Sequence, residues 1–294
     1  NPQQLQAVQH DEGPLMVVAG AGSGKTRVIT CRIANLIQEK QASPESILAI
    51  TFTNKAAGEM KERVRNMLDF RGASPWISTF HSFCLRILRK HISELGFSND
   101  FAVYDAQDQL TLVKQCMKVK EISADAFPPK TLLNHISSFK NDFLMPEDVK
   151  QEEIPYGHQH KAAGLYPVYQ AALKKNNALD FDDLLVFAGR LFQEVPNLQR
   201  HYSEKFKYIM VDEFQDTNAA QYKLVRLLSE THKNICVVGD DDQSIYRWRG
   251  ANIENILKFE NDYPGTTVIK LEENYRSTQN ILNAAGRVVK ENKK

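Results

Sequence analysis

Cysteine is sparse in this chain. There are four among 294 residues, Cys31, Cys84, Cys116 and Cys236, all far apart. No Cys-x-x-Cys pair exists, which argues against a zinc ribbon or a dithiol redox centre and favours a reducing, cytoplasmic setting. Charge of one sign is also missing. Lys and Arg number 37 against 36 Asp and Glu, for a formal net charge of +1. Any nucleic-acid surface must then be a local groove, because no global basic field exists. No apolar run is long enough to span a bilayer, no signal peptide is recognisable, and no internal repeat or low-complexity tract is visible. An initiator Met is absent, and the chain stops at Lys294 in a Lys-rich helical pattern. It is therefore expected to be a piece of something longer, with room for a large core and one or two domains.

What is present is an alternation of strands and helices. Leu15–Val18 is an apolar run ending at a Gly-rich turn, and the next segment, 25–40, places Ile29, Ile33, Leu36 and Ile37 at helical spacing. Residues 47–52 read as a strand, 54–68 as a helix and 76–79 as a strand followed by another helix. The alternation resumes with strands at 208–211, 235–238 and 268–271. Strands alternating with helices imply an α/β fold with a parallel sheet covered on both faces. Between the two halves the patterns are helical apart from a short run at 101–104. Asp105 reads as the N-cap of 106–119, Pro128-Pro129 opens another helix, and Asp180 caps one running to Glu194. The expected organisation is a discontinuous core of residues 1–85 and 203–272, an inserted helical subdomain of residues 86–202, and a final segment of residues 273–294.

Ala19–Thr26, AGAGSGKT, follows a strand and precedes a helix. It fits a P-loop except that Ala19 stands where the first Gly is usual. Ala21, Gly22, Ser23 and Gly24 form the cradle, and the two glycines let successive backbone amides turn towards phosphate oxygens. The helix beyond adds about half a positive charge at its N-terminus. Lys25 is placed to reach the β- and γ-phosphates, and Thr26 to hold Mg²⁺. A plain Gly-rich turn explains the glycines but not Lys25-Thr26 at this offset. The second half of the site is YIMVDEFQD, residues 208–216. A strand in a parallel sheet delivers Asp212 and Glu213 beside the P-loop. Asp212, together with Glu213, is a candidate metal-binding acid, and Glu213 is the candidate general base. A positioned base contributes about 10²–10⁴-fold in rate.

Gly239–Ala251, GDDDQSIYRWRGA, joins acids and an amide to Tyr246, Arg247, Trp248 and Arg249. Groups that sense a nucleotide are thus tied covalently to groups that stack on bases, as a motor coupling nucleotide state to its grip on a strand requires. Phe52, Tyr246 and Trp248 each follow the nucleotide-facing end of a strand pattern. One base stack is worth about 1–3 kcal/mol, and opening a DNA base pair costs about 1.4 kcal/mol. A single stacking pocket therefore suffices to hold roughly one base. Phe181 reads either as such a platform or as a core residue of an ordinary capped helix. Thr53, Asn54, Thr79 and His81 lie at strand ends and are candidate phosphate contacts. The cluster Arg86, Arg89, Lys90 and His91 reads as a solvated helix face.

These segments carry a resemblance. Asn1-Pro2-Gln3-Gln4, AGAGSGKT, ITFTNKAAGEM (50–60), TFHS (79–82), LDFDDLL (179–185), VDEFQDTN (211–218), GDDDQSIYRWRGA and ENYRS (273–277) occur in the order found in the UvrD/Rep/PcrA group of superfamily 1 DNA helicases. The chain resembles that group along its whole length. The resemblance implies a RecA-like P-loop NTPase domain with an inserted helical subdomain. It also implies ATP and Mg²⁺ as ligands, and 3′-to-5′ translocation on single-stranded DNA and at duplex junctions. By the same resemblance Gln4 reads adenine, Arg27 and Tyr275 sandwich the adenine ring, Gln243 senses the γ-phosphate and Arg276 stabilises transition-state charge. It further implies that a second core domain begins near Glu273 and carries a second arginine beyond Lys294. Such arginines are worth about 10³–10⁵ in turnover, so this piece is expected to bind ATP but hydrolyse it slowly.

Three other readings compete. The same ATP site would serve a helicase–nuclease subunit, though no nuclease-like cluster is visible. A GTPase switch is disfavoured, because Asn54-Lys55-Ala56-Ala57 lacks the Asp of the guanine-reading pattern. A binding-only module is the fourth.

Overall fold

The computed structural model describes residues 1–68, 72–240 and 254–289. The chain forms two compact units. One comprises Asn1–Phe80, Arg200–Thr217 and Leu228–Lys294, and the other His81–Gln199 and Asn218–Leu227. The sequence pattern assigned 218–227 to the first unit. The side chain of Asn218 instead bonds that of Asn141, 77 positions away, a partner that no local pattern reveals.

The first unit is built on six parallel strands: β1 (Leu15–Ala19), β2 (Ile47–Thr51), β3 (Trp76–Thr79), β6 (Tyr208–Val211), β7 (Ile235–Gly239) and β8 (Thr267–Leu271), in the order β3-β2-β6-β7-β1-β8. The two short strands β4 (Ala102–Val103) and β5 (Ala178–Leu179) belong to the second unit. Every residue of β2 and β7 is buried, as a strand covered on both faces requires. β8 alternates buried and exposed positions along its second half, which suits its place at the edge. Helices α1 (Pro2–Gln9), α2 (Lys25–Gln38) and α3 (Asn54–Met67) follow the apolar periodicity of the sequence. Val28, Ile29, Ile33 and Leu36 of α2 join Val17 and Val238 in one core. Helices α11 (Glu254–Asp262) and α12 (Gln279–Val289) complete this unit.

The second unit is helical. It contains most of α4 (Phe80–His91), then α5 (Ala106–Val119), α6 (Pro129–Asn141), α7 (His158–Lys175) and α8 (Phe181–Glu194). The chain crosses between units within α9 (Pro196–Lys205) and α10 (Ala219–Ser229). Leu112, Leu132, Ile136, Tyr166, Tyr169 and Leu173 form its centre. Asp105 and Asp180 cap α5 and α8 at the positions read from sequence, each with a reciprocal bond to the third helical residue. β5 was not legible: two residues give no periodicity.

One buried cation holds α1 in place. Arg32 of α2 is 2% exposed, and its guanidinium donates to the carbonyls of Ala7 at 3.1 Å and of Val8 and Asp11 at 3.4 Å, and to that of His10. Ala7 and Val8 are among the acceptors that a helix leaves unpaired at its C-terminal end, where positive charge is also favoured, and His10 and Asp11 follow as the C-cap and the next residue. Arg32→Met is expected to destabilise the first unit by about 1.5–3 kcal/mol, the range for hydrogen bonds to a charged group. A lower urea midpoint would register the loss. An unchanged midpoint would show that water satisfies these carbonyls equally well.

Candidate nucleotide site and strand-binding face

β1 ends in a turn whose two glycines are essential to its shape. Gly22 has φ +72° and Gly24 φ +89°, values that side-chain-bearing residues rarely adopt. Space is tight as well, although at Gly24 the neighbour is the movable end of a side chain. A Cβ on Gly22 would lie 2.7 Å from the Cβ of Arg276, and one on Gly24 would lie 2.9 Å from Nε2 of Gln4. Gly24 is the N-cap of α2 and offers no side chain to its first amides, so this helix start is suited to an anion. Ser23 closes the turn by donating from Oγ to the Gly20 carbonyl at 2.7 Å. Gln4 donates from Nε2 to the Ser23 carbonyl at 2.8 Å, which fixes α1 against the loop. Ala21 and Arg27 are exposed beside it.

The acids arrive from β6. Lys25 Nζ lies 3.1 Å from Glu213 Oε2, and Thr26 Oγ1 donates to Asp212 Oδ2 at 3.3 Å. Glu213 is held at φ +52°, ψ +44°. This left-handed conformation costs a non-glycine residue of order 1–3 kcal/mol and is typical of functional sites. Asp212 is 3% exposed. Burial, and then the charge of Glu213, push its carboxyl up to about 6. Asp216 is also raised to about 6, by burial and then Glu213, and its Oδ1 is buried without a hydrogen-bond partner among the described residues. Three carboxylates thus share one lysine.

This donor set fits a nucleotide with a divalent cation. Among the described residues no three His, Cys, Asp or Glu side chains come together as a metal cage. Thr26 and Asp212 are the groups that would hold Mg²⁺, which takes one or two carboxylates and keeps its remaining ligands from phosphate and water.

The segment after β8 lies against the P-loop. Tyr275 N donates to the Gly22 carbonyl at 2.9 Å, and Asn274 Nδ2 bonds the Ala21 carbonyl. Arg276 is exposed, with its Cβ over Gly22. Tyr275 is 59% exposed and its hydroxyl bonds the Glu273 carboxylate. Sequence reasoning missed Asn274, and it missed Gln215. Gln215 Nε2 donates to Glu213 Oε2 at 2.9 Å while its Oε1 accepts from Asp240 N at 3.0 Å. It therefore links the acid to the end of β7. Its place in VDEFQD was the available signal.

The strand-binding candidates divide between the units. In the first, Phe52 is half-buried and makes an edge contact with Phe80, ring centroids 5.7 Å apart. Thr53 caps α3, its hydroxyl accepting from Ala56 N at 3.1 Å, and Asn54 is exposed beside it. Thr79 ends β3 and is buried. In the second, Phe181 is the first residue of α8 and 53% exposed. Its ring stacks on His81 at 3.9 Å with 18° between planes. Burial holds His81 down at about 4, so the imidazole is neutral at physiological pH. Arg86, Arg89 and Lys90 are exposed, as expected of a solvated helix face, and the Arg89 guanidinium also donates to the Asn99 and Phe101 carbonyls and lies 4.0 Å over the Phe101 ring. Gln243, Tyr246, Trp248 and Arg249 lie outside the described residues.

The profile of a family described as UvrD/REP helicase N-terminal domain matches residues 1–264. The protein named ATP-dependent DNA helicase PcrA from Staphylococcus aureus is 51% identical over 292 residues, 99% of this chain and 40% of its own. The protein of the same name from Staphylococcus epidermidis is 52% identical, with the same coverage. The chain thus spans about two fifths of the length of the curated relatives it matches. No helix among the described residues is long and apolar enough to cross a membrane.

Asp212 gives the site a pH signature. The unfolded chain ionises it near 3.8 and the folded protein near 6. Between those values the folded state binds the proton more tightly, so stability falls as pH rises and the full cost is present above about 6. Asp212→Asn removes that cost. In thermal melts the variant is expected to exceed the parent by up to about 3 kcal/mol near pH 8, an advantage that vanishes towards about pH 4. A variant less stable at the higher pH would show that Lys25 and Thr26 already compensate the charge.

Proposed function

The chain belongs to the UvrD/REP helicase N-terminal domain family, and from that premise we propose that it is the ATP-binding motor portion of a DNA helicase that moves 3′ to 5′ along single-stranded DNA. The observation that carries this reading is the meeting of Lys25, Thr26, Asp212 and Glu213 at an uncapped helix start. The nucleotide, as its Mg²⁺ complex, supplies the phosphoanhydride bond whose hydrolysis releases the free energy for movement. Lys25 exchanges its contact with Glu213 for the β- and γ-phosphates. Glu213, freed from the lysine and still held by Gln215, orients a water molecule and takes its proton on Oε2. Thr26 and Asp212 hold the cation. The Gly22–Thr26 amides bind phosphate oxygens, Arg276 stabilises transition-state charge, and Gln243 senses the γ-phosphate. Gln4, Arg27 and Tyr275 surround the adenine.

Phe52, Thr53, Asn54 and Thr79 are the strand contacts of the first unit, and His81 and Phe181 are those of the second. Tyr246, Trp248 and Arg249 grip it further. Single-stranded DNA and duplex junctions in a bacterial cytoplasm are the substrates.

Two substitutions separate the sites. Lys25→Ala is expected to weaken binding of a fluorescent ATP analogue by about 10–150-fold, from the loss of charge-assisted bonds, and to leave affinity for an oligodeoxythymidine unchanged. Trp248→Ala should do the reverse, weakening the oligonucleotide by about 5–150-fold. Intact nucleotide affinity in Lys25→Ala would remove the phosphate-site assignment. Intact strand affinity in Trp248→Ala would remove Trp248 from the strand-binding set.

A further inference from the structure

A buried ion cluster underlies the helix that carries Phe181, and the nucleotide chemistry does not use it. Lys140 of α6 has no exposed surface. Its Nζ lies 2.6 Å from Asp180 Oδ2 and 2.7 Å from Asp183 Oδ1. Asp180 is 3% exposed and Asp183 0%. The two acids also cap α8 reciprocally: Asp183 N donates to Asp180 Oδ1 at 2.9 Å and Asp180 N to Asp183 Oδ2 at 3.1 Å. Tyr169 Oη donates to Asp180 Oδ2 at 3.1 Å, and Gln170 Nε2 lies 3.1 Å from each oxygen of Asp183.

A capping box needs no lysine, and the chain contains its own comparison. Asp105 and Asp108 cap α5 in the same reciprocal way, both exposed. Starting a helix therefore does not explain Lys140. Stability explains it poorly too, since apolar side chains of similar volume often replace buried ion groups without loss. What the cluster determines is geometry. Phe181 sits between the two capped acids, so the ammonium that clamps both of them fixes the backbone from which its ring projects onto His81.

We propose that Lys140 is a positioning residue for a strand-stacking platform made by Phe181 and His81, acting through Asp180 and Asp183. The proposal rests on the reading that Phe181 meets the strand.

A double-substitution cycle on the whole chain tests it, with labelled oligodeoxythymidine anisotropy as the readout and fluorescent ATP-analogue binding and a thermal melt as controls. Phe181→Ala is expected to weaken strand binding by about 5–150-fold. Lys140→Met should reproduce most of that loss with nucleotide affinity unchanged, and the double variant should bind no more weakly than Phe181→Ala. If Lys140→Met does not fold, Asp183→Asn, which keeps an acceptor for Asp180 N, takes its place in the cycle with the same expected coupling. Losses that add fully, or wild-type strand affinity in the folded lock variant, would overturn the lock alone. Unchanged affinity in Phe181→Ala would overturn both the platform and the lock.

Discussion

All six strands of the main sheet run the same way, and everything at the nucleotide site follows from that constraint. Parallel strands present their carboxyl ends on one edge, and the loops leaving that edge converge. β1 delivers the P-loop there, β6 delivers Asp212 and Glu213, β7 delivers Asp240, and β8 leads into Asn274–Arg276. Lys25 and Glu213 are 188 positions apart in sequence yet 3.1 Å apart in space. β7, buried at every residue, lies between their strands and makes the separation rigid. Onto this fixed base the chain adds two local distortions, the left-handed glycines of the loop and the left-handed Glu213. Both are tolerated because the surrounding sheet leaves the backbone no easier path.

The electrostatics of the site are unbalanced in a way that favours a ligand. Asp212, Glu213 and Asp216 have one nearby ammonium, that of Lys25, and burial adds to their mutual repulsion. A site at balance gains little from an incoming ion. Here a cation bound beside Asp212 relieves a cost already present in the ligand-free fold, and mass action turns that relief into added stability. Phosphate works on the other partner. On the proposed reading, Lys25 cannot serve Glu213 and a γ-phosphate equally, so nucleotide binding itself releases the base. Gln215 keeps the released carboxylate from swinging away, and its second bond, to Asp240 N, places the same amide at the start of the acidic and aromatic segment.

Legibility in the sequence divides along the range of the interaction. The P-loop was readable because covalent spacing alone places Gly22, Gly24, Lys25 and Thr26. The caps at Asp105 and Asp180 were readable because donor and acceptor lie within one helical turn. Strands β1, β2, β6 and β7 were readable as short, wholly apolar runs bounded by turns. What escaped were single polar residues whose partners lie far along the chain. Arg32 reaches back 25 positions to Ala7, Lys140 forward 40 to Asp180, and Asn274 back 253 to Ala21. Each looks like an ordinary surface residue within its own helix or loop. Burial distinguishes Arg32 and Lys140, and burial is a property of the fold. Phe181 shows the same limit from the other side: its sequence context allowed a core residue or a platform, and the partially exposed stack on His81 is a tertiary fact.

The two lysine–carboxylate clusters of this protein make an instructive contrast. Around Lys140 the polar atoms are engaged on nearly every side, by the reciprocal cap, the Tyr169 hydroxyl and the Gln170 amide. The opposing charges outweigh the burial that would lower its pKa, and the ammonium holds its proton more firmly than a free lysine. Gln170 Oε1 is buried without a hydrogen-bond partner among the described residues, but Lys140, Asp180 and Asp183 are all paired, which fits the cluster to hold a shape. Around Lys25 demand is less fully met: Asp216 Oδ1 is unpaired among the described residues, burial and then Glu213 push the Asp212 carboxyl up to about 6, and the adjacent helix start is uncapped. Unmet polar demand inside a folded protein is costly. It persists where something from solution completes it. Charge composition alone does not separate a structural cluster from a working one, since both combine Lys with Asp or Glu. The pairing of charge does: one ammonium is closed in by two acids that also cap each other around Lys140, while around Lys25 three acids face one ammonium, in keeping with the roles proposed for the two.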